Sequence, residues 1–456
     1  MAQQAQYLHT YHKSGHNWTT MEMNGLALTG LAFPEFRFSS DWSSYALKVM
    51  SEEIERQVYP DGVQTEISTK TQWVALRRFE SLASNFSSAG HPVEASYISR
   101  IEEMYNYLAF CMRPDGHQPL NNDSDREDLR TRVLQASEKF DRQDWKYIAT
   151  NGSHGKQPGL GPTRFFPWAG IALMSSGWDK MADWSFFDIG PYGTGHQHRD
   201  MLHLSISAFG HDLLVDGGRY THRDYFSFDP SVWRGYFRSS HSHNVLLIDD
   251  KGQKAGPHMS EKSLIEGKDY FGCASYDFAT GEFSSGFEGV PGKVSHTRSV
   301  LYLKTHQWLV IDNIKLEQPH KVTALWHVAP DLEMTIEQGV TKSSGFERPN
   351  LAIIPFGDIN WKTEIIWGRE APTIQGWYSA DYNRKVPNST ATYSARIDRS
   401  HTFGWWIIVN DVEIPEGQIK YIARKNFFRI QLALENQVER EVIFPWDHQV
   451  DKIIVR

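Results

Sequence analysis

The chain has 456 residues, of which 40% are hydrophobic and 22% charged, as is usual for a globular protein of two or three domains. Its formal net charge of −8 argues against a nucleic-acid-binding protein, because neutralising phosphates requires a basic surface. No apolar run reaches the roughly 18 residues of a membrane span, and the first residues lack the basic and apolar segments of a signal peptide.

Residues 1–165 show the apolar spacing of three and four that predicts helices. One apolar stripe runs through 42–58, a second through 71–86, and a third ends near Leu108. Pro92 stands where the first turn of the third helix is expected, because proline fits the first helical position. This segment is predicted to fold as successive helical hairpins.

After Phe165 the pattern changes to short alternating or apolar runs, which predict β-strands. Residues 202–208 alternate, and the runs RSVLYLKTHQWLVIDNIKL, VTALWHV, FGWWIIVN and FFRIQLAL follow. Strands at this density predict an antiparallel β-sandwich over 166–375. A turn-rich stretch at 372–387 indicates a smaller C-terminal β-sheet over 376–456. The predicted fold class is therefore α+β, with several domains.

The densest polar cluster lies in GPYGTGHQHRDMLHLSISAFGHDLLVDGGRY and in the following WRGYFRSSHSHNVLLID. His196 and His198 are two residues apart and would share one face of an extended chain. Asp216 ends an apolar run, and His243 begins the next predicted strand. Two imidazoles and one carboxylate from neighbouring strands would suit zinc with an open fourth position. Because the chain has 20 histidines and a strand-end aspartate is often a turn former, a purely structural role is the alternative.

These motifs are similar to the signature of heparinase II/III-like polysaccharide lyases. In that family a GHxHxD segment opens the β-sandwich, and a later aspartate and a His-Asn pair complete it. The N-terminal HNWTTMEMNGLALTGLAFPEF and PDGVQTEIS resemble motifs of the family's helical toroid. The family's toroid is considerably longer than residues 1–165. The resemblance therefore implies an incomplete (α/α) toroid followed by the sandwich.

The resemblance implies a polysaccharide lyase that cleaves a uronic-acid-containing glycan by β-elimination and leaves an unsaturated uronate end. His196 matches the catalytic histidine, and Asn17 matches the residue that neutralises the substrate carboxylate. Glu22 matches a residue of the cleft. The implied ligands of a largely structural divalent metal, preferably Zn²⁺, are His198, Asp216 and His243.

The chain departs from the family where relatives carry a Tyr-His pair, whose tyrosine acts as base and acid. Thr71 and Gln72 stand at these positions, and a threonine hydroxyl has no pKa usable for proton transfer near neutrality. Tyr225 is the expected substitute, because its loop carries a second catalytic tyrosine in some relatives. The alternatives are that another tyrosine such as Tyr236 or Tyr192 serves, that activity is impaired, that the register of the motif is different, or that Tyr225 only packs.

Two further residues are predicted to bind substrate. Glu66 follows Pro-Asp-Gly and is expected to line the cleft, and Arg234 suits bidentate contact with carboxylate or sulfate. The predicted partner is an acidic polysaccharide or oligosaccharide, and the sequence does not identify which uronate glycan. Exposed helix faces of an incomplete toroid would favour association between copies. The resemblance implies a periplasmic or secreted protein.

Two other functions stay open. A toroid-type glycoside hydrolase would use a carboxylate pair such as Glu22 and Glu66, which would have to lie about 5–9.5 Å apart. An inactive or glycan-binding relative would be compatible with Thr71 and with the short toroid. An ultraviolet-absorbing unsaturated product distinguishes the lyase from both.

Overall fold

The computed structural model describes residues 1–15, 17–304, 306–345, 347–435, 437–446, 448 and 450–456, with the side chains of 437–439 outside the description. Helices make up the N-terminal part. They are α1 (Ala2–Tyr11), α2 (Asn17–Ala32), α3 (Ser39–Gln57), α4 (Thr69–Ser88), α5 (Ala95–Cys111), α6 (Arg130–Lys139) and α7 (Gln143–Ala149). No helix within these described ranges is long and apolar enough to cross a bilayer.

The predicted apolar stripes of α3, α4 and α5 form a common core. Met50, Phe79 and Leu108 are fully buried there, one from each helix. Pro92 lies outside α5, contrary to expectation, because the backbone of Glu94 is extended and the helix begins only at Ala95.

Helix α2 packs against α3 and α4, and its apolar residues occur on every side, among polar ones such as Glu22 and Asn24. Such a helix is usually buried on all sides. Here Met23 and Leu26 are buried, whereas Trp18, Met21 and Leu28 are about half exposed. The helix therefore presents an apolar outer face to solvent.

The first sheet is antiparallel and follows the helices directly. It contains β1 (Arg164–Phe166), β2 (Ile171–Ser175), β3 (Trp184–Asp188), β4 (Leu204–Ala208) and β5 (His211–Leu214), in that order. Alternation at 202–208 thus predicted β4 correctly. The short helix α8 (Trp233–Arg238) lies in the connection that follows.

Two larger antiparallel sheets contain most of the remaining chain. Their strands are β6 (Leu246–Ile248), β7 (Tyr270–Gly272), β8 (Asp277–Phe283), β9 (Val294–Tyr302), β10 (Gln307–Leu316), β11 (His320–His327), β12 (Glu333–Glu337), β13 (Val340–Ser344), β14 (Asn350–Phe356), β15 (Lys362–Trp367), β18 (Ser389–Ile397) and β19 (His401–Asn410). The strand orders are β12-β13-β14-β19-β10-β9-β8-β7 and β15-β18-β11-β6. Side chains of both sheets and of the first sheet share one hydrophobic core that contains Trp308, Trp326 and Trp405.

The C-terminal sheet is smaller than the sequence suggests. A hairpin of β16 (Trp377–Asp381) and β17 (Arg384–Pro387) occupies the turn-rich stretch, and the terminal sheet contains β20 (Gly417–Ala423), β21 (Phe427–Leu434), β22 (Gln437–Pro445) and β23 (Ile454–Val455). Because β18 pairs with β11 and β19 pairs with β10, residues 389–410 belong to the two larger sheets. The separate sheet therefore begins near Gly417 rather than at 376, because pairing partners distant in sequence decide where a strand belongs.

Buried polar contacts join the helices to the sheets. The Asp61 carboxylate accepts hydrogen bonds from the backbone N–H groups of Trp168, at 2.7 Å, and Ala169, at 3.1 Å. The Tyr59 hydroxyl accepts the Ser260 N–H at 3.0 Å. These contacts fix the two parts around the polar site described below.

Candidate active site and metal centre

Four loops meet where the helices face the sheets. They are residues 112–129 between α5 and α6, 189–203 between β3 and β4, 215–232 after β5, and 239–245 before β6. Gly193 has a φ of +89°, and a Cβ there would lie 2.9 Å from the Glu66 carbonyl oxygen. Thr65 and Thr194 hydroxyls are 3.1 Å apart. Glycine thus lets the histidine-rich loop lie directly on the PDGVQTE loop.

The predicted ligands His198, Asp216 and His243 come together as a buried group. Their ligand atoms all lie within 4.8 Å of one another. The Nδ1 atoms of His198 and His243 are buried and have no hydrogen-bond partner among the described residues. The Asp216 Oδ2 lies 3.4 Å from His243 Nδ1. Two unpaired imidazole nitrogens facing a carboxylate oxygen fit a divalent metal ion.

The outer nitrogen of each ligand ring is held by a partner. His198 Nε2–H donates to Asp123 Oδ1 at 3.0 Å, and His243 Nε2–H donates to the Phe237 carbonyl at 3.2 Å. Such outer bonds fix the tautomer and leave Nδ1 as the metal-binding nitrogen. The ligands lie in loops at strand ends, and β6 belongs to a different sheet from β4 and β5, so the ligands do not come from neighbouring strands of one sheet.

Two further carboxylates lie near the group of His198, Asp216 and His243. Asp200 lies 3.7 Å from His243 Nδ1, and Asp188 is close enough to interact with both. Burial raises the pKa of Asp200 to about 6 and that of Asp188 well above its ordinary range. Burial opposes the charge on His243, but Asp216 and Asp200 outweigh it and raise its pKa to about 9. A divalent cation would neutralise these buried carboxylates.

A second group forms around His196. Its ligand-type atoms belong to Asp123, His196 and His222 and also lie within 4.8 Å of one another. His196 Nδ1–H donates to Asp123 Oδ2 at 2.8 Å, while its Nε2 lies 3.9 Å from Glu66 Oε2. Asp123 is buried, yet its histidine and arginine partners hold its pKa well below the ordinary range. His196 is thus held at Nδ1, and its Nε2 is available on the partly exposed side.

The backbone at His196 corrects one sequence expectation. Its φ is +56°, so residues 196–198 are not an extended strand with both rings on one face. The two rings nevertheless meet at one place, because each binds a different oxygen of Asp123. Asp123 itself was missed in the sequence, where it looks like one more acid in the loop RPDGHQPLNNDSD.

Tyr225 lies beside the catalytic candidate. Its ring centroid is 6.0 Å from that of His196 and 5.5 Å from that of His222, nearly perpendicular to both. The guanidinium groups of Arg234 and Arg238 approach the same ring within 5.4 and 5.5 Å. Burial and the nearby Asp123 raise the pKa of Tyr225. Tyr225 is therefore a neutral phenol rather than a phenolate near neutral pH.

His222 is a further member that the sequence did not indicate. Its Nε2 accepts a hydrogen bond from Arg219 at 2.7 Å and lies 3.7 Å from Asp123 Oδ2. Because arginine only donates, this nitrogen carries no proton and Nδ1 carries the ring's hydrogen. The N–H on the other side of the ring can serve as a donor to a bound anion.

The remaining predicted site residues differ in their surroundings. Asn17 begins α2, and its side-chain oxygen is buried without a hydrogen-bond partner among the described residues. Glu22 accepts the Lys13 N–H at 2.8 Å. Glu66 is buried beside His196. Arg234 is buried and donates to Asp123 at 2.7 Å.

Thr71 and Gln72 are used structurally at the start of α4. The Thr71 hydroxyl donates to the Ser68 carbonyl at 3.0 Å. The buried Gln72 side chain accepts the Gln64 N–H at 2.7 Å and donates to the Gly62 carbonyl at 2.9 Å. These positions therefore hold the PDGVQTE loop against the helix.

Family models match most of the chain. "Heparinase II/III N-terminus" matches residues 1–147, and "Heparinase II/III-like, C-terminal" matches residues 158–417. The chain belongs to the heparinase II/III family. The resemblance seen in the sequence is thereby confirmed.

Similar proteins include two heparin-sulfate lyases. The one from Pedobacter heparinus is 26% identical over 340 residues, which cover 72% of this chain and 49% of that protein. The one from Bacteroides stercoris is 20% identical over 435 residues, covering 93% and 61%. The chain thus spans about half to three fifths of the length of these relatives. A crystal structure of a heparan sulfate lyase from Pedobacter heparinus shares the fold, with a TM-score of 0.81, 22% identity and coverage of 98% and 69%.

Proposed function

We propose that the protein is a polysaccharide lyase that cleaves uronic-acid-containing glycans by β-elimination. The observation that carries this proposal is His196, held at Nδ1 by Asp123 and facing Tyr225 next to a buried metal-type group. The similarity to heparin-sulfate lyases supports the same class of reaction. We further propose that the helices form part of an (α/α) toroid and that the sheets form a β-sandwich.

β-Elimination needs a base at C5, stabilisation of the carboxylate and an acid at the leaving oxygen. In the proposed reaction His196 Nε2 takes the C5 proton, the electron pair forms the C4–C5 double bond, and the C4–O bond breaks. Tyr225 gives its proton to the leaving 4-oxygen. The Asn17 amide neutralises the uronate carboxylate, whose negative charge grows as the proton leaves. Water is not consumed, and the product is an unsaturated uronate end.

The metal has a structural role in this proposal. His198, Asp216 and His243 would hold Zn²⁺, because two imidazoles and one carboxylate form a ligand set typical of zinc. Its charge would offset Asp188 and Asp200 and hold the three loops in place. No proton transfer passes through it.

The predicted substrate-binding residues contribute in different ways. Glu66 is close enough to His196 to influence its orientation from the cleft side. Arg234 donates to Asp123 and to the Arg219 carbonyl, and one oxygen of the Glu22 carboxylate accepts the Lys13 N–H. We therefore expect Arg234 and Glu22 to act through positioning. The proposed substrate is an acidic glycan, with heparan sulfate the first to test, and the proposed location is periplasmic or extracellular.

The test is the growth of ultraviolet absorbance on a panel of uronate glycans. The wild type is expected to produce absorbance with at least one glycan. His196→Ala and Tyr225→Phe are each expected to lower kcat by about 10²–10⁴-fold, the usual contribution of a general acid or base. Tyr220→Phe is the matched control, since Tyr220 lies in the same loop but packs on Phe237.

Two results would contradict the proposal. One is a flat trace on every glycan from folded, zinc-loaded protein, which would instead favour an inactive glycan-binding relative. The other is release of reducing ends without unsaturated product, which would indicate a hydrolase.

A further inference from the structure

Asp123 binds two histidines that have different roles. Its Oδ1 accepts His198 Nε2–H at 3.0 Å, and its Oδ2 accepts His196 Nδ1–H at 2.8 Å. Arg234 donates to Oδ2 at 2.7 Å. Asp123 is 2% exposed, so these contacts lie away from bulk water. One carboxylate therefore connects a metal-ligand ring with the candidate catalytic ring.

The loop that carries Asp123 is fixed on both sides. Asn122 Oδ1 accepts the His198 N–H at 2.8 Å, and its Nδ2 donates to the Ile67 carbonyl at 2.9 Å. The Ser124 hydroxyl lies 3.1 Å from that of Ser68 at the start of α4. Asp123 thus reaches the sheet-side histidines from a loop anchored to the helices.

We infer that Asp123 is a positioning residue shared by the metal centre and the catalytic histidine, so that metal binding at His198 and the alignment of His196 are coupled. The two carboxylate oxygens are rigidly joined, and a shift of the His198 ring on losing its metal would move or release the partner of His196. The orientation of each ring depends on the bond at its outer nitrogen. The catalytic half of this inference rests on the proposed lyase function.

A carboxylate is required for this double contact. Three N–H donors converge on Asp123, and only a group with two acceptor oxygens can satisfy them. An asparagine would place its NH₂ group against an imidazole N–H or the Arg234 guanidinium. Asp123→Asn therefore breaks the contact that the two rings share, with almost no change in side-chain volume, and both rings should be affected.

The first measurement is zinc affinity, obtained by competition with a chelator. Asp123→Asn is expected to weaken zinc binding about 10–100-fold, as is usual for an outer partner of a metal-ligand histidine. At saturating zinc its kcat is expected to fall by a similar factor, while KM changes little. The matched control is Asp115→Asn in the same loop. Asp115 pairs with Arg126 at 2.8 Å and contacts neither His196 nor His198.

The second measurement tests the coupling without requiring turnover. Modification of His196 by diethyl pyrocarbonate is followed by mass spectrometry, with exposed His91 as internal reference. Removing zinc is expected to change the His196 rate several-fold in the wild type and hardly at all in Asp123→Asn. If Asp123→Asn does not fold, Asp123→Glu keeps the charge but misplaces both oxygens, and it should show the same losses to a smaller extent.

Each outcome is decisive. The inference would be overturned if folded Asp123→Asn kept both the zinc affinity and the kcat of the wild type. It would also be overturned if the variant lost only one of the two. A rate of His196 modification that does not change when zinc is removed from the wild type would overturn it as well. If the wild type shows no lyase activity but its His196 rate depends on zinc through Asp123, the proposed function fails and the positioning role stands.

Discussion

At position 71 a single residue decides how far the family's chemistry can be transferred to this chain. The resemblance seen in the sequence implies a tyrosine at this position, whereas Thr71 is buried and its hydroxyl donates to the Ser68 carbonyl in the first turn of α4. Proton transfer must then come from groups on the opposite side of the cleft. His196 and Tyr225 are the pair that the structure brings together there.

Thr71→Tyr is expected to destabilise the protein without raising its turnover. A ring forced into this buried position should cost about 1–3 kcal/mol in the free energy of unfolding, as overpacking usually does. Urea unfolding monitored by circular dichroism measures this change, with Thr71→Ser as the control that keeps the hydroxyl. Higher turnover with unchanged stability would show instead that position 71 opens into the cleft and that the tyrosine resumes its family role.

At the scale of elements, Asn244 connects the strands that flank the loops of the candidate metal ligands. Its side-chain amide donates to the Leu204 carbonyl at 2.9 Å and to the Val215 carbonyl at 3.1 Å, and its oxygen accepts the His327 N–H at 2.6 Å. These contacts join β4, the end of β5 and β11. The residue next to His243 therefore sets the spacing of the loops on which the ligands lie.

Asn244→Ala is expected to lower the free energy of unfolding by at least about 3 kcal/mol, because three buried backbone groups lose their partner. Zinc affinity should fall as well, since His243 and Asp216 are no longer held at one distance. Chemical denaturation and chelator competition measure the two effects. The surface control Asn360→Ala should change stability by no more than about 0.5 kcal/mol. A neutral result for Asn244→Ala would mean that water or a rearranged strand replaces its amide.

At the scale of the whole molecule, the metal group lies where helices and sheets meet. His198 contacts Asp123 of the helical part, while His243 precedes β6 of the sheets. A bound ion would therefore stabilise the junction and not only one loop. It would also neutralise buried carboxylates that are otherwise costly to ionise.

Zinc at about 100 times its Kd is expected to stabilise the folded protein by about 2.7 kcal/mol, by mass action alone. Thermal unfolding with and without a chelator tests this, and Asp216→Asn should remove most of the shift. Calcium is the control ion, because it prefers a larger set of oxygen ligands than this group offers. Equal shifts with both ions, or none with zinc, would contradict the proposed zinc site.

Local sequence determined the elements of this protein and the types of group available for chemistry. Apolar spacing in α3 and α4 and alternation in β4 follow from the periods of helix and strand, so these elements could be predicted from their own residues. The motif around His196 and His198 indicated the family, which the family models confirm. The three predicted ligands, His198, Asp216 and His243, form a buried group in the structure. Zinc is proposed as the metal from the types of these ligands.

Only the tertiary structure decided which groups meet. Asp123 lies more than seventy residues before the two histidines that it binds, and nothing in its own segment distinguishes it from its acidic neighbours. The sheet to which 389–410 belong depends in the same way on pairing with distant strands. Burial and hydrogen-bond partners arise from chain segments brought together by folding. A local pattern can therefore specify the residues of a site, but not the contacts that set their orientation and charge.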